Sequence, residues 1–292
     1  MRKMDREYYR NLVETEKYFR SWLIAPKTWI IETQAEGHDP VCQCYLLEGD
    51  DSAIAIDGGC GRHDIASYMK TLTDLPLIGV INTHGHFDHM AGNRFFRHVW
   101  ISEKIRECAD REKCGILEYI NPDGEPFWQI PSSGNAENVT FIREGDTLDL
   151  GGRKLEFLEI GAHNVASIAV IDSGSRFLFV GDEVETGWCN VGSMKAARWA
   201  TIENHYNHML KLKAREKDYD AICPGHHGSP IAKECLDHQI ICDRMILDGE
   251  VGSDEIPFIV VMGLERPETR VLVYRTAHRG FASDCIYYSQ FD

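Results

Sequence analysis

Four side chains of metal-ligating type lie within six residues of this sequence: His84, His86, Asp88 and His89. They come shortly after the apolar run Leu77–Ile81, which is typical of a buried strand. Neutral imidazole and carboxylate are the usual ligands of a catalytic zinc ion, and one ion does not need all four. The spacing lets alternate side chains face two neighbouring metal positions. The pattern therefore predicts a metal site after this strand, in preference to a polar loop or a single structural zinc.

Three later segments carry the same kinds of side chain. They are Gly161–Ser167, which contains His163, then Phe179–Asp182, in which the aspartate follows an apolar strand and a glycine, and Cys223–His226. Together with the first cluster, they resemble the ligand segments of the metallo-β-lactamase superfamily, over roughly residues 28–230. The sequence departs from that pattern in the second segment, where the family often has Gly-His-Thr-Pro-Gly-Ser and this chain has Ala-His-Asn-Val-Ala-Ser.

The resemblance assigns a metal-ligand role to each of these side chains. It implies two bound divalent ions, with zinc expected, although histidine and carboxylate also accept iron and manganese. The implied ligands are His84, His86 and His163 for the first ion and Asp88, His89 and His226 for the second, with Asp182 bridging the two.

Such a ligand set implies a hydrolase that needs no protein nucleophile. A water shared by two divalent ions has its pKa lowered from about 15.7 toward 7, so hydroxide forms at neutral pH. Asp182 would fix the separation of the ions and Asp88 would accept the proton, which makes these two the predicted catalytic residues. The expected substrate is a small molecule with a thioester or lactone carbonyl. A lactam, a phosphodiester, or a metal-binding sensor without turnover are the alternatives.

Several enzyme classes lack their motifs in this chain. No Gly-x-Ser-x-Gly elbow and no Walker-type loop occurs, so a serine hydrolase and an NTPase are not expected. Within the superfamily, Asp182 and His226 are too close in sequence for the nuclease branch, which carries a large insertion there. Homoserine-lactone hydrolases place a tyrosine shortly after the bridging aspartate, whereas this chain has Glu183-Val184-Glu185. The residues therefore leave the substrate open.

The composition describes a globular chain with an acidic balance. Its 292 residues, 43% of them hydrophobic, are enough for a substantial core. The net charge of −15 disfavours a nucleic-acid partner, because such partners are held by a basic face. No apolar run reaches the roughly 18 residues of a membrane helix. Ten cysteines occur without an N-terminal apolar leader, so the expectation is a reduced, cytoplasmic protein.

Strand-like stretches occur in two groups with helical stretches around them. They are residues 28–33, 44–47, 53–56 and 77–81 in the first group and 139–142, 147–150, 154–160, 167–171 and 176–180 in the second. This order predicts an α/β fold, an αββα sandwich of two mixed β-sheets with helices on the outer faces, as one domain over residues 1–292. An amphipathic helix is predicted over residues 5–23, as a packing element or the contact of a possible homodimer.

Two segments outside the predicted sheets are candidates for shaping the pocket. The loop 119–138 is rich in Pro, Gly, Asn and Ser, and its Phe127 and Trp128 either cover a substrate or anchor the loop. The C-terminal appendage 231–292 is predicted to contain a helix near residues 233–247 and strands over residues 270–276 and 281–288. It either covers a sheet edge or stands at the mouth of the site.

Asp57 and His227 are candidates for supporting the ligands. Asp57 ends a predicted strand, where its carboxylate would orient a ligand imidazole or accept backbone hydrogen bonds in a turn. His227 directly follows His226 and is predicted to lie beside the ligands or in solvent.

Two other residue pairs favour a structural interpretation. His205 and His208 lie in the helical stretch 193–216 and are predicted to form part of a solvated helix face. Cys42 and Cys44 are predicted to be small strand residues, with a further metal site as the alternative.

Overall fold

Two β-sheets packed face to face form the centre of the computed structural model, which describes residues 18–33, 41–108, 139–186, 188–191, 201–249, 254–257, 270–276 and 284–288. The strands are β1 Phe19–Ala25, β2 Thr28–Thr33, β3 Gln43–Glu48, β4 Ala53–Ile56, β5 Leu77–Ile81, β6 Val99–Ser102, β7 Val139–Ile142, β8 Thr147–Asp149, β9 Lys154–Glu159, β10 Ile168–Asp172, β11 Phe177–Gly181, β12 Trp188–Asn190, β13 Ala221–Pro224, β14 Ile231–Ala232, β15 Asp254–Pro257, β16 Arg270–Thr276 and β17 Asp284–Tyr288. The helices are α1 Ile65–Met69, α2 Phe87–Met90, α3 Ile105–Cys108, α4 Ile202–Ala214 and α5 Cys235–Leu247, with a 3₁₀ helix over Ala91–Phe95.

Both sheets of the sandwich are mixed. The first has the order β1-β2-β3-β4-β5-β6-β7, antiparallel as far as β4 and parallel from there on. The second has the order β14-β13-β11-β10-β9-β8, in which only β11 and β13 run parallel. The predicted fold class is confirmed.

Apolar side chains form layers on both faces of each sheet. Between the sheets, Tyr45 meets Phe179 edge to face, with ring centroids 4.9 Å apart. The outer face of the first sheet packs against Ile65 of α1, and that of the second sheet packs against Met209 of α4 and Leu236 of α5. Strands β4, β10 and β11 are buried at every position, because helices cover the faces that would otherwise meet water.

The predicted N-terminal helix over residues 5–23 is wrong at its C-terminal end. Residues 19–23 belong to β1, which pairs antiparallel with β2 from Phe19 opposite Thr33 onward. Pairing with β2 satisfies the backbone and sends Phe19 and Trp22 to opposite faces of the sheet, into different apolar clusters. Residues 5–17 lie outside the described part of the chain.

Strands of the C-terminal appendage form a third sheet, with the order β12-β17-β16-β15. Helix α5 and strand β16 confirm the predicted helix and first strand, and β17 begins at Asp284. The start of the appendage, β14, adds to the edge of the second sandwich sheet beside β13, whereas β17 pairs with β12, which follows the segment containing Asp182. The loop 119–138 lies outside the described residues. No helix that the structure describes is long and apolar enough to cross a membrane.

A buried ion pair ties the two sandwich sheets together. Arg153, before β9, donates to both carboxylate oxygens of Asp172 in β10, over 2.9 and 2.6 Å. The same guanidinium donates to Thr28 Oγ1 at 2.8 Å and to the Glu48 carbonyl at 3.0 Å, both in the first sheet. Arg153 is 4% exposed and Asp172 is fully buried, so water stabilises neither charge and each is stabilised by the other.

Asp172→Asn is expected to lower the free energy of unfolding by about 3 kcal/mol or more, because Arg153 would then be buried without a counter-charge. Denaturant unfolding followed by circular dichroism measures this change. The matched control is Asp220→Asn, which removes the partner of Arg176 from a pair at the surface and should change stability little. Equal losses in the two variants would contradict the role given to the buried pair.

Candidate metal centre

Three histidines place ring nitrogens around one point. His86 Nδ1 lies 3.0 Å from His84 Nε2 and 2.8 Å from His163 Nε2. His84 and His86 follow β5, whereas His163 lies between β9 and β10 in the other sheet. These three nitrogens and a carboxylate oxygen of Asp182 are all within 4.8 Å of one another, so they can hold one ion.

A second group of ligand atoms lies next to the first. Asp88 Oδ2 is 3.4 Å from His226 Nε2 and 3.8 Å from His89 Nε2. Asp182 completes this group, with Oδ1 at 3.2 Å from His89 Nε2 and Oδ2 at 3.5 Å from His226 Nε2. The same Oδ2 atom is 3.4 Å from His163 Nε2, so the Asp182 carboxylate reaches both groups. The structure thus brings all seven predicted ligands together.

Close approach of the two sheets at this point depends on glycine. Gly181, the last residue of β11, has φ +54°, and a Cβ there would lie 2.8 Å from Cβ of Thr83. Gly225, before His226, leaves space that a Cβ would fill at 2.6 Å from Cε1 of His89. Any larger residue at either position would push the ligand segments of the two halves apart.

Hydrogen bonds on the far ring nitrogens orient two of the imidazoles. His89 Nδ1 lies 2.8 Å from Asp57 Oδ2, and His226 Nδ1 lies 2.8 Å from the Val41 carbonyl oxygen. Both rings therefore turn Nε2 toward the centre, as metal-binding histidines do. Asp57 also accepts from the Thr83 backbone N–H at 2.8 Å, so it fulfils both roles considered for it from the sequence.

The chemistry of the centre fits divalent cations. His89 Nε2 and Asp182 Oδ1 are buried and make no hydrogen bond, which is costly unless something else satisfies them. Burial lowers the pKa of His86 to about 3, so its ring is neutral and its lone pair is available. Burial alone would raise the pKa of Asp88, but the neighbouring His89 and His226 bring it down to about 2, which leaves a carboxylate. Burial would lower the pKa of His89 and His226, but Asp182 raises it well above the usual value, so a bound ion would displace their protons. The imidazoles and carboxylates left by that exchange are the donor set that zinc accepts.

Two buried glutamates that sequence reasoning passed over hold the ligand segments in place. Glu183 Oε1 accepts from the backbone N–H groups of Ala162 and His163, at 2.9 and 2.8 Å. Glu185 Oε1 accepts from the His226 N–H at 2.9 Å, and its other oxygen lies 3.2 Å from His227 Nδ1. The available signal was two acidic residues directly after the predicted bridging aspartate, in a segment that had to be buried.

The interpretation of His205 as a solvated residue is wrong. Its ring is fully buried, with Nδ1 2.7 Å from Asp243 Oδ2 of α5 and Nε2 2.9 Å from the Glu183 carbonyl oxygen. Burial would lower the pKa of His205, but Asp243 raises it well above its usual value, so both ring nitrogens donate. His205 therefore anchors the backbone next to Asp182. His208 is only partly buried.

A family model described as the metallo-β-lactamase superfamily matches residues 39–226, which include every ligand atom described above. The chain belongs to the metallo-β-lactamase superfamily. The fold, the order of the ligand segments and their convergence at one edge of the sandwich agree with that membership.

Curated relatives within the superfamily are distant and longer than the region they share with this chain. The acyl-coenzyme A thioesterase MBLAC2 of Gallus gallus is 26% identical over 170 residues, which cover 49% of this chain and 57% of the relative. The hydroxyacylglutathione hydrolase of Prochlorococcus marinus is 24% identical over 180 residues, 61% of this chain and 62% of the relative. The matched region thus spans about three fifths of the length of each relative.

Solved structures share the fold. A metallo-β-lactamase from Pontibacter korlensis superposes with a TM-score of 0.57 at 20% identity and covers 77% of this chain and 99% of its own. A metallo-β-lactamase family protein from Thermus thermophilus superposes with a TM-score of 0.59 at 18% identity and covers 77% of this chain and 82% of its own. At these identities the likeness concerns the fold alone.

His226→Ala is expected to lose bound metal, while His227→Ala should retain it. The reason is that His226 Nε2 points to Asp88 and Asp182, whereas His227 is 45% exposed and contacts only the supporting Glu185 among these acids. Metal content after dialysis, measured by mass spectrometry, separates the two variants. An equal loss from both would show that the ligand has been assigned to the wrong histidine.

Proposed function

We propose that the chain is a metal-dependent hydrolase that cleaves a small carbonyl substrate, a thioester or a lactone, at a two-metal site. The observation that carries this proposal is the Asp182 carboxylate, which lies within 3.5 Å of ligand nitrogens from both groups. A site for one structural ion would have no use for a second complete group of ligands beside the first. The preferred metal is zinc, with iron or manganese as alternatives.

The roles of the protein side chains follow from their positions. When bound, the two ions would supply an activated water and polarise the substrate carbonyl. Asp182 would hold the two ligand groups at a fixed separation, and Asp88 would receive a proton at a carboxylate oxygen as the carbonyl is attacked. Asp88 can do so because it is ionised at neutral pH. Glu183 and Glu185 would keep the ligand segments from moving during the reaction.

The names of the relatives favour the thioester over the lactone. One is named an acyl-coenzyme A thioesterase and another a hydroxyacylglutathione hydrolase, and both names denote hydrolysis of a thioester. We propose the same bond class for this chain. The acid portion and the thiol portion of the substrate stay open, because the relatives differ in both.

A panel of substrates tests the bond class. Zinc-loaded protein is assayed against an acyl-coenzyme A, a hydroxyacylglutathione, a lactone, a chromogenic lactam and a bis-aryl phosphodiester. The expected result is the highest kcat/KM with one of the two thioesters. A preference for the lactam or the phosphodiester would overturn the proposed substrate. A protein that holds its metals and hydrolyses none of the panel would favour a metal-binding sensor.

Asp182→Ala is expected to reduce both metal content and hydrolysis by orders of magnitude, because this carboxylate serves both ligand groups. The control is Asp220→Ala at the surface, which should leave metal content and hydrolysis unchanged. Full activity in Asp182→Ala, measured with the preferred substrate of the panel, would contradict a site organised around this residue.

A further inference from the structure

A thiol lies at the second ligand group. The Cys42 side chain is 1% exposed, and its Sγ, a carboxylate oxygen of Asp88 and a ring nitrogen of His226 are all within 4.8 Å of one another. Ligand atoms around one tetrahedral zinc, at about 2.0 to 2.3 Å from it, are separated by less than this. The three atoms can therefore share an ion, and Cys42 is the cysteine that joins a His/Asp cluster within the described residues.

The backbone on both sides of Cys42 is bound to the segment that carries His226. The Val41 carbonyl oxygen lies 2.8 Å from His226 Nδ1, and the Gln43 N–H donates to the Gly225 carbonyl over 2.8 Å. Cys42 itself is fixed to Thr33, whose Oγ1 accepts from the Cys42 N–H at 3.0 Å. The thiol is thus held against the metal centre by the same contacts that orient a metal ligand.

Two unsatisfied atoms lie in a neighbouring cluster that shares His226 with the cluster of the thiol, and they fit a site for a cation. His89 Nε2 and Asp182 Oδ1 are both buried, lack a hydrogen bond and belong to the group that includes His226. A buried lone pair without a partner is rare in native proteins unless it faces an ion or water. This observation is independent of the position of the sulfur.

We propose that Cys42 is a sulfur ligand of the second metal ion, together with Asp88 and His226. The proposal rests on the two-metal site of the proposed function. On binding, the S–H bond breaks, its proton is released to solvent, and the sulfur donates an electron pair to the ion; no electron is transferred. The residue that the sequence analysis favoured as a small strand residue thus gains a role in the centre, while Cys44 stays a buried core residue.

A sulfur ligand would change which metals the second position prefers. Thiolate is a soft donor that favours zinc and cadmium, whereas manganese and magnesium prefer carboxylate and water. Cys42 would therefore make the second position selective for zinc over manganese. A residue that only packed beside the site would affect all metals alike.

Cobalt spectroscopy tests the proposal without any substrate. The full-length protein is stripped of metal, loaded with two equivalents of Co²⁺ under reducing conditions, and examined in the near-ultraviolet for a sulfur-to-cobalt charge-transfer band. The expected result is a band in the unmodified protein that Cys42→Ser abolishes while the d–d bands of the first position remain.

Cys60→Ser is the matched control. The Cys60 Sγ lies 3.9 Å from Cys42 Sγ and is also buried, but it is absent from the His/Asp clusters of the described residues. Its replacement should leave the charge-transfer band in place. A band that persists in Cys42→Ser, or that disappears only in Cys60→Ser, would overturn the proposal.

X-ray absorption at the zinc edge of the unmodified protein gives a test that does not depend on the folding of a variant. A sulfur shell near roughly 2.3 Å supports the proposal, and a shell of nitrogen and oxygen alone overturns it. In the variant, the Kd for Zn²⁺ at the second position should rise about tenfold or more, with the Kd for Mn²⁺ little changed. Equal weakening for both metals would also overturn the proposal. Because these measurements use no substrate, their outcome is separate from whether the thioester is hydrolysed.

Discussion

The sharing of one buried carboxylate between two groups of ligands constrains most of this structure. The Asp182 carboxylate contacts His163 and His226 from its own half of the sandwich and His89 from the other half. All three contacts are 3.2 to 3.5 Å long. Burial would lower the pKa of His89 and His226, but Asp182 raises it well above the usual value, so protons hold these contacts together until metal replaces them. The site is therefore a cluster of buried charges that is costly to desolvate and that the surrounding fold holds in place.

The fold meets this cost with buried polar groups around the ligands. Asp57, Glu183 and Glu185 are all nearly inaccessible and each accepts hydrogen bonds from a ligand segment. Behind them, His205 holds the Glu183 carbonyl and is itself held by Asp243. These supporting contacts limit how far the centre can relax when metal is absent.

The candidate ligands and the third sheet come from different parts of this chain. The ligands come from the strand ends of the two sandwich sheets, which the superfamily shares. The third sheet joins the appendage to β12, which lies shortly after Asp182, so the appendage is tied to the chain close to the centre. Because one fold serves many functions, what a member acts on is decided by its site and not by the sandwich as such.

Much of the centre was readable from residue types and spacing. The first four candidate ligands, the two mixed sheets and most strand bounds follow from short-range patterns, because strands alternate or run apolar and ligands cluster at their ends. The other three candidates, His163, Asp182 and His226, came from the resemblance to the superfamily. Short-range patterns failed where a contact between distant parts of the sequence decides the structure. The apolar residues of 19–23 fit the spacing of a helix and that of a strand, and pairing with β2 makes them a strand. His205 looks solvated until α5 brings Asp243 to it. Cys42 looks like any small strand residue, and only the packing of β3 against the His226 segment places its sulfur beside Asp88.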